Sequence, residues 1–179
     1  MRKIILIGGD LASGKSTYSK FLANKFNLTL INKDTLKEIL GDNIAVSNRA
    51  ENKKLSVISF ELIKYFIESS RENIIVESNF KPYEMSELEK YQEFNQILSF
   101  HFRGDNEFLH QRFQKRLNEN RHHVHKSQDF TDINDFIKVL EELRSVKYIG
   151  KVINVDVTKY NHINEALELT EIVAKFLQE

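Results

Sequence analysis

The chain contains no cysteine. That excludes disulfides, thiolate catalysis and Cys-ligated zinc or iron–sulfur centres. It contains one proline, and 41% of its residues are apolar, which is too much apolar content for a disordered or fibrous chain. It carries no net charge, since 26 Lys and Arg balance 26 Asp and Glu. A neutral chain argues against a general nucleic-acid coat or a polybasic membrane binder and leaves room for a local basic site. No apolar run approaches the ~20 residues of a membrane span. The first apolar run, residues 4–7, is too short for the core of a signal peptide. The expectation is a cytoplasmic protein with no membrane contact and no implied protein partner. At 179 residues, one domain over 1–179 is expected.

What is present alternates. Short apolar runs at residues 4–7, 28–32, 73–77, 97–103 and 151–157 read as strands. Helical patterns lie between them, at 16–26, from Thr35 to just before Gly41, along a Leu55, Ile58, Leu62, Tyr65, Phe66 stripe, from Pro82 to about 94, over 105–118, around 133–143 and over 166–177. Thr35-x-x-Glu38 reads as a capping box. Residues 118–132 have little apolar content and read as a mobile segment. This alternation predicts an α/β fold, a five-stranded parallel sheet with helices on both faces. Ligands in such sheets bind beyond the carboxyl ends of the strands.

The strongest signal sits at the end of the first strand. Gly9-Asp10-Leu11-Ala12-Ser13-Gly14-Lys15-Ser16 fits G-x-x-x-x-G-K-[ST] at every defined position. The glycines let the backbone curl and aim successive N–H groups inward, and the helix that follows adds its positive end. Gly9, Ala12, Ser13, Gly14, Lys15, Ser16 and Thr17 are therefore the expected nucleotide contacts. Lys15 supplies a cation for the β- and γ-phosphates, and Ser16 a hydroxyl for Mg²⁺.

Other polar residues fall at strand ends. Asp34 follows the second strand and suits a general base toward a substrate hydroxyl, or a helix cap. Lys37 lies one turn on and suits a contact to the γ-phosphate or the substrate. Glu77 ends the third strand, where it would hold Mg²⁺ directly, through water, or act as the base itself. Ser78 and Asn79 follow on the substrate side. Arg112 and Arg116 share a helix face beside the segment at about 112–131, which suits a lid closing on phosphate or a solvated charged face. Arg121 and His125 are candidate substrate contacts. His122, His123 and His125 match no defensible metal-ligand spacing and read as lid contacts or exposed loop residues.

Taken in order, these residues resemble the P-loop kinases related to polynucleotide kinase, the zeta toxins and chloramphenicol phosphotransferase. The loop at residues 9–17 matches. Asp34 through Lys37 is similar to Asp-x-x-Arg with Lys for Arg. Glu77-Ser78-Asn79 is similar to Asp-Thr-Asn with Glu for Asp. Arg112-x-x-x-Arg116 is similar to a lid arginine pair, and Arg121-His122-His123-Val124-His125 to Arg-His-Pro-Gly-His without the Pro and Gly. The resemblance implies a P-loop NTPase three-layer sandwich with a helical lid. It also implies ATP and Mg²⁺ as cofactors, Asp34 as general base, and transfer of the γ-phosphate to a hydroxyl-bearing acceptor. A small-molecule acceptor is expected first and a nucleic-acid 5′-hydroxyl second. A nucleotide-binding switch or ATPase without an acceptor is the rival from another class.

Overall fold

The computed structural model describes residues 1–117, 119, 122–125, 130, 132–160, 162–163 and 166–179. Arg121 lies outside the described residues, as does much of the segment expected to be mobile.

Five strands, β1 (Arg2–Gly9), β2 (Thr29–Asn32), β3 (Ile74–Glu77), β4 (Asn95–Arg103) and β5 (Lys151–Asp156), form one parallel sheet in the order β2-β3-β1-β4-β5. β1 is central and buried along nearly its whole length. That is why it reads as a continuous apolar run rather than an alternating one. Successive side chains point to opposite faces. Ile5, Ile7, Ile75, Leu98 and Phe100 pack with α1 (Lys15–Phe26), α5 (Asn106–Leu117), α6 (Ile133–Arg144) and α7 (Leu167–Gln178). Ile4, Leu6, Ile74, Val76 and Ile97 pack with α3 (Arg49–Ser69) and α4 (Pro82–Leu88). The result is the expected three-layer sandwich.

Two local expectations are corrected. α2 spans Lys33–Asn43, not a helix capped at Thr35 and ended before Gly41. Asn32 is the cap: its side chain accepts from the Thr35 N–H at 2.8 Å. The long helix buries a different face. Leu55, Ser59, Phe60, Ile63 and Ile67 face the sheet, while Ile58, Tyr65 and Phe66 are exposed. Both stripes have helical spacing, and the position of the sheet decides between them. Within the segment expected to be mobile, one described stretch packs on α2. Residues His123–His125 form a 3₁₀ turn whose Val124 is buried against α2.

Candidate active site

The loop between β1 and α1 is built by backbone conformation. Gly9, at φ 122°, runs so close to β4 that a Cβ would stand 2.1 Å from the Phe102 carbonyl oxygen. No other residue fits there. Ala12 and Gly14 are also left-handed, and Gly14 is the cap of α1. Asp10 N–H bonds the Phe102 carbonyl at 2.8 Å, and Ser13 Oγ donates to the Asp10 carbonyl at 2.6 Å. Lys15 is buried in the loop and donates to the Gly9 carbonyl at 3.2 Å and Ser13 Oγ at 3.3 Å. Burial holds its pKa below the usual lysine value, against the raising effect of Glu77, Asp10 and Asp34. Ser16 and Thr17 are exposed on the first turn of α1.

Glu77 closes β3 and is 5% exposed. Ser16 Oγ donates to its Oε2 at 3.1 Å, and the Asn32 amide donates to the same oxygen. Burial lifts the Glu77 carboxyl to about 7, opposed by Lys15 and the Ser16 hydrogen bond and assisted by Asp34. Ser16 and Glu77 thus form a pair of hard oxygen donors, the chemistry Mg²⁺ prefers.

Asp34 is exposed in the first turn of α2. With Ser16, Lys20, Asn32, Thr35, Glu38, His122 and His125 it lines a polar cavity of about 320 Å³. Lys37 is half-buried one turn further on. Burial holds its ammonium below the usual value, with Lys33 and Lys81 adding to the effect and Asp34 opposing it. A larger cavity, about 440 Å³, lies beside β2 between Leu30, Ile31, Leu36, Phe66 and Ile74. It is mostly apolar and holds none of the loop residues, whereas the smaller one holds Ser16.

Ser78 and Asn79 sit just past β3, where Ser78 Oγ and Asn79 Oδ1 are buried without a hydrogen-bond partner among the described residues. Arg112 and Arg116 are half-buried on α5. Arg112 Nη2 lies 3.9 Å from where a Cβ on Gly14 would stand, and Arg116 acts electrostatically on Lys15. His125 Nε2 lies 2.9 Å from Glu38 Oε1.

Four residues escaped the sequence reading. Asn32 bridges the α2 cap and Glu77. Asp10, at an undefined position of the loop motif, is fully buried against Arg144. Lys33 and Glu84 form a buried ion pair beneath Asp34's turn. Only Asn32, the polar residue before the first turn of α2, carried a readable signal.

No protein-family model matches the sequence, and no curated protein matches it. Solved structures do. A protein of Chloroflexus aurantiacus named as a candidate kinase superposes with a TM-score of 0.73 at 22% identity, covering 99% of this chain and 97% of that one. A shikimate kinase of Bacteroides thetaiotaomicron gives 0.64 at 14% identity, covering 98% of each chain. A gluconokinase of Sinorhizobium meliloti gives 0.60 at 18% identity, covering 99% and 98%. The chain has the fold of the P-loop kinases.

Proposed function

We propose that the chain is an ATP-dependent kinase that transfers the γ-phosphate to a hydroxyl of a small molecule. The observation that carries this reading is the shared cavity. The Ser16 hydroxyl, on the phosphate-binding loop, and the Asp34 carboxylate line one polar space of about 320 Å³. That volume suits a metabolite-sized acceptor. His122 and His125 also line it. Kinases named for gluconate and shikimate share the fold, which supports a small hydroxylated acceptor.

In this reading the backbone from Gly9 to Thr17 cradles the phosphates, and Lys15 holds the β- and γ-phosphates. Asp34 accepts the proton of the acceptor hydroxyl as its oxygen bonds the γ-phosphorus. The bond from that phosphorus to the β–γ bridging oxygen breaks, and ADP leaves. Arg116 neutralises the charge spread over the transferring group, and Arg112, beside Gly14, holds the phosphates of the nucleotide. Ser16 and Glu77 would hold Mg²⁺, which supplies further charge neutralisation when bound. Asn32 keeps Glu77 oriented. Ser78, Asn79, Lys37, Arg121 and His125 are assigned to the acceptor.

The test is transfer of labelled γ-phosphate to a panel of small hydroxy acids and polyols and to a 5′-hydroxyl oligonucleotide, using wild type and Asp34→Asn. Transfer to a small acceptor, lost by roughly 10²-fold or more in Asp34→Asn with ATP affinity kept, is expected. Transfer to the oligonucleotide alone, falling steeply with salt, would make it a polynucleotide kinase. Hydrolysis with no phosphorylated product would make it a switch or ATPase.

A further inference from the structure

A second group of donor atoms lies across the seam between α2 and the His123–His125 turn. Asp42, His122 and His123 each offer one ligand atom, and these atoms all lie within 4.8 Å of one another. His122 Nε2 is already 2.9 Å from Asp42 Oδ1. The His122 and His123 rings lie 4.3 Å apart, tilted by 36°. We propose that these three residues bind a borderline transition-metal dication of the Zn²⁺ or Ni²⁺ class, which staples the turn to α2.

The donor set decides the class of ion. Two imidazoles and one carboxylate suit Zn²⁺, Ni²⁺ or Cu²⁺, whereas Mg²⁺ and Ca²⁺ take oxygen ligands. In a tetrahedral site with metal–ligand bonds near 2 Å, ligand atoms stand ~3.3 Å apart. Side-chain rotation closes the remaining gap. Asp42 and His123 are exposed, which leaves an entry path and a position for water.

The scaffold under the donors is held without their help. Gly41 presents a bare patch of helix, and a Cβ there would stand 2.3 Å from Val124 Cγ1 and 3.6 Å from His123 Nε2. The missing side chain is what lets the turn lie flat on α2. Val124 is 1% exposed, and its carbonyl accepts from Asn52 Nδ2 at 2.6 Å. His125 bonds Glu38 at 2.9 Å on the other side of Val124. The turn is thus docked by a buried methyl pair, a bond to α3 and a bond to α2, and the two rings project beside Asp42. A bound ion replaces one shared proton with three coordinate bonds. Because His122 also lines the cavity that holds Asp34, the ion fixes that wall of the cavity.

The test uses the full chain without an affinity tag. Zn²⁺ is titrated calorimetrically with Mg²⁺ in excess, and Co²⁺ is followed by its visible absorption. One equivalent of Zn²⁺ binding at micromolar concentration or tighter is expected, with the intense Co²⁺ bands of a four-coordinate site. His123→Ala and Asp42→Asn should each weaken Zn²⁺ by roughly tenfold or more, at least the loss that outer-shell partners cause. His162→Ala, at another exposed histidine, should leave it unchanged. Gly41→Ala should weaken it too, by lifting the turn. No binding by the wild type, or binding that survives both His123→Ala and Asp42→Asn, overturns the proposal. In that case the seam is held without an ion, by the buried Val124, the Asn52 bond and the histidine–carboxylate hydrogen bonds.

Discussion

Arg144, in the last turn of α6, clasps Asp10 inside the loop between β1 and α1, with Nη2 2.7 Å from Oδ2 and Nε 3.1 Å from Oδ1. The same guanidinium donates to the Gly104 carbonyl at 2.7 Å and to Asn106 Oδ1 at 2.9 Å. One side chain therefore ties the loop, the end of β4 and the start of α5 together. Asp10 is fully buried. Removing Arg144 leaves a buried carboxylate whose remaining hydrogen bond among the described residues comes from the Gly104 N–H, at 3.1 Å.

Arg144→Met is therefore expected to cost about 3 kcal/mol of stability, because the loss is an uncompensated buried charge rather than a surface pair. Urea unfolding measures it. The double variant Asp10→Asn/Arg144→Met should recover most of the loss, since no charge is then left behind. A cost under about 1 kcal/mol would place the pair with ordinary surface bridges.

A second buried pair governs the turn that carries Asp34. Glu84 is fully buried and accepts from Lys33, from Tyr83 Oη at 3.1 Å and from the Lys81 N–H at 3.2 Å. Glu84→Ala strands the Lys33 ammonium and loosens the first turn of α2. Expected are a loss of about 3 kcal/mol in unfolding free energy and a raised KM for the acceptor. The KM for ATP should stay close to wild type, because the loop has its own anchor in Arg144. Equal rises in both KM values would show that the pair acts on the fold as a whole.

His101 supplies a pH dependence with a definite sign. Burial, then Arg103, Lys15 and Arg144, hold its pKa down to about 4. The folded state therefore binds fewer protons than the unfolded state between pH 6.5 and 4. Its contribution to stability is present above pH 6.5 and is lost as pH falls toward 4. Between pH 7.5 and 5 the wild type should lose about 2 kcal/mol that His101→Gln does not. Unfolding at the two pH values, compared between the proteins, isolates this slope from every other titrating group. Parallel slopes would mean that the ring titrates in the fold as it does in the unfolded chain.

Much of this was legible in the sequence, for physical reasons. Parallel strands buried on both faces must be apolar throughout, so the five runs stood out. The loop motif stood out because its chemistry needs glycine, lysine and a hydroxyl at fixed positions. The α3 face was not legible. Ile58, Leu62, Tyr65 and Phe66 make as good a stripe as the true one, and the true one contains Ser59. The Asp10–Arg144 contact was not legible either. It joins residues 134 apart in sequence, from a position the loop motif leaves free. Asp34 and Lys37 were singled out by place in the chain, but Asn32, which holds both the α2 cap and Glu77, was passed over as the end of a strand.

The arginine pair on α5 makes the sharpest kinetic prediction. Arg116 acts on Lys15, which the proposed mechanism sets against the transferring group, whereas Arg112 lies beside Gly14 in the loop. The two should fail differently. Arg112→Ala should raise the KM for ATP, because its contact is to the bound nucleotide before and after reaction alike. Arg116→Ala should lower kcat by roughly 10³-fold with ATP affinity nearly kept, because its charge matters most when the phosphoryl group carries more of it. Arg116→Lys should not restore the rate, since an ammonium lacks the planar fork that bonds two phosphate oxygens at once. Steady-state kinetics together with direct ATP binding separate these outcomes. If Arg116→Ala changed ATP affinity and kcat/KM equally, with kcat intact, Arg116 would be a ground-state nucleotide contact like Arg112. The transition-state role assigned to α5 would then fall.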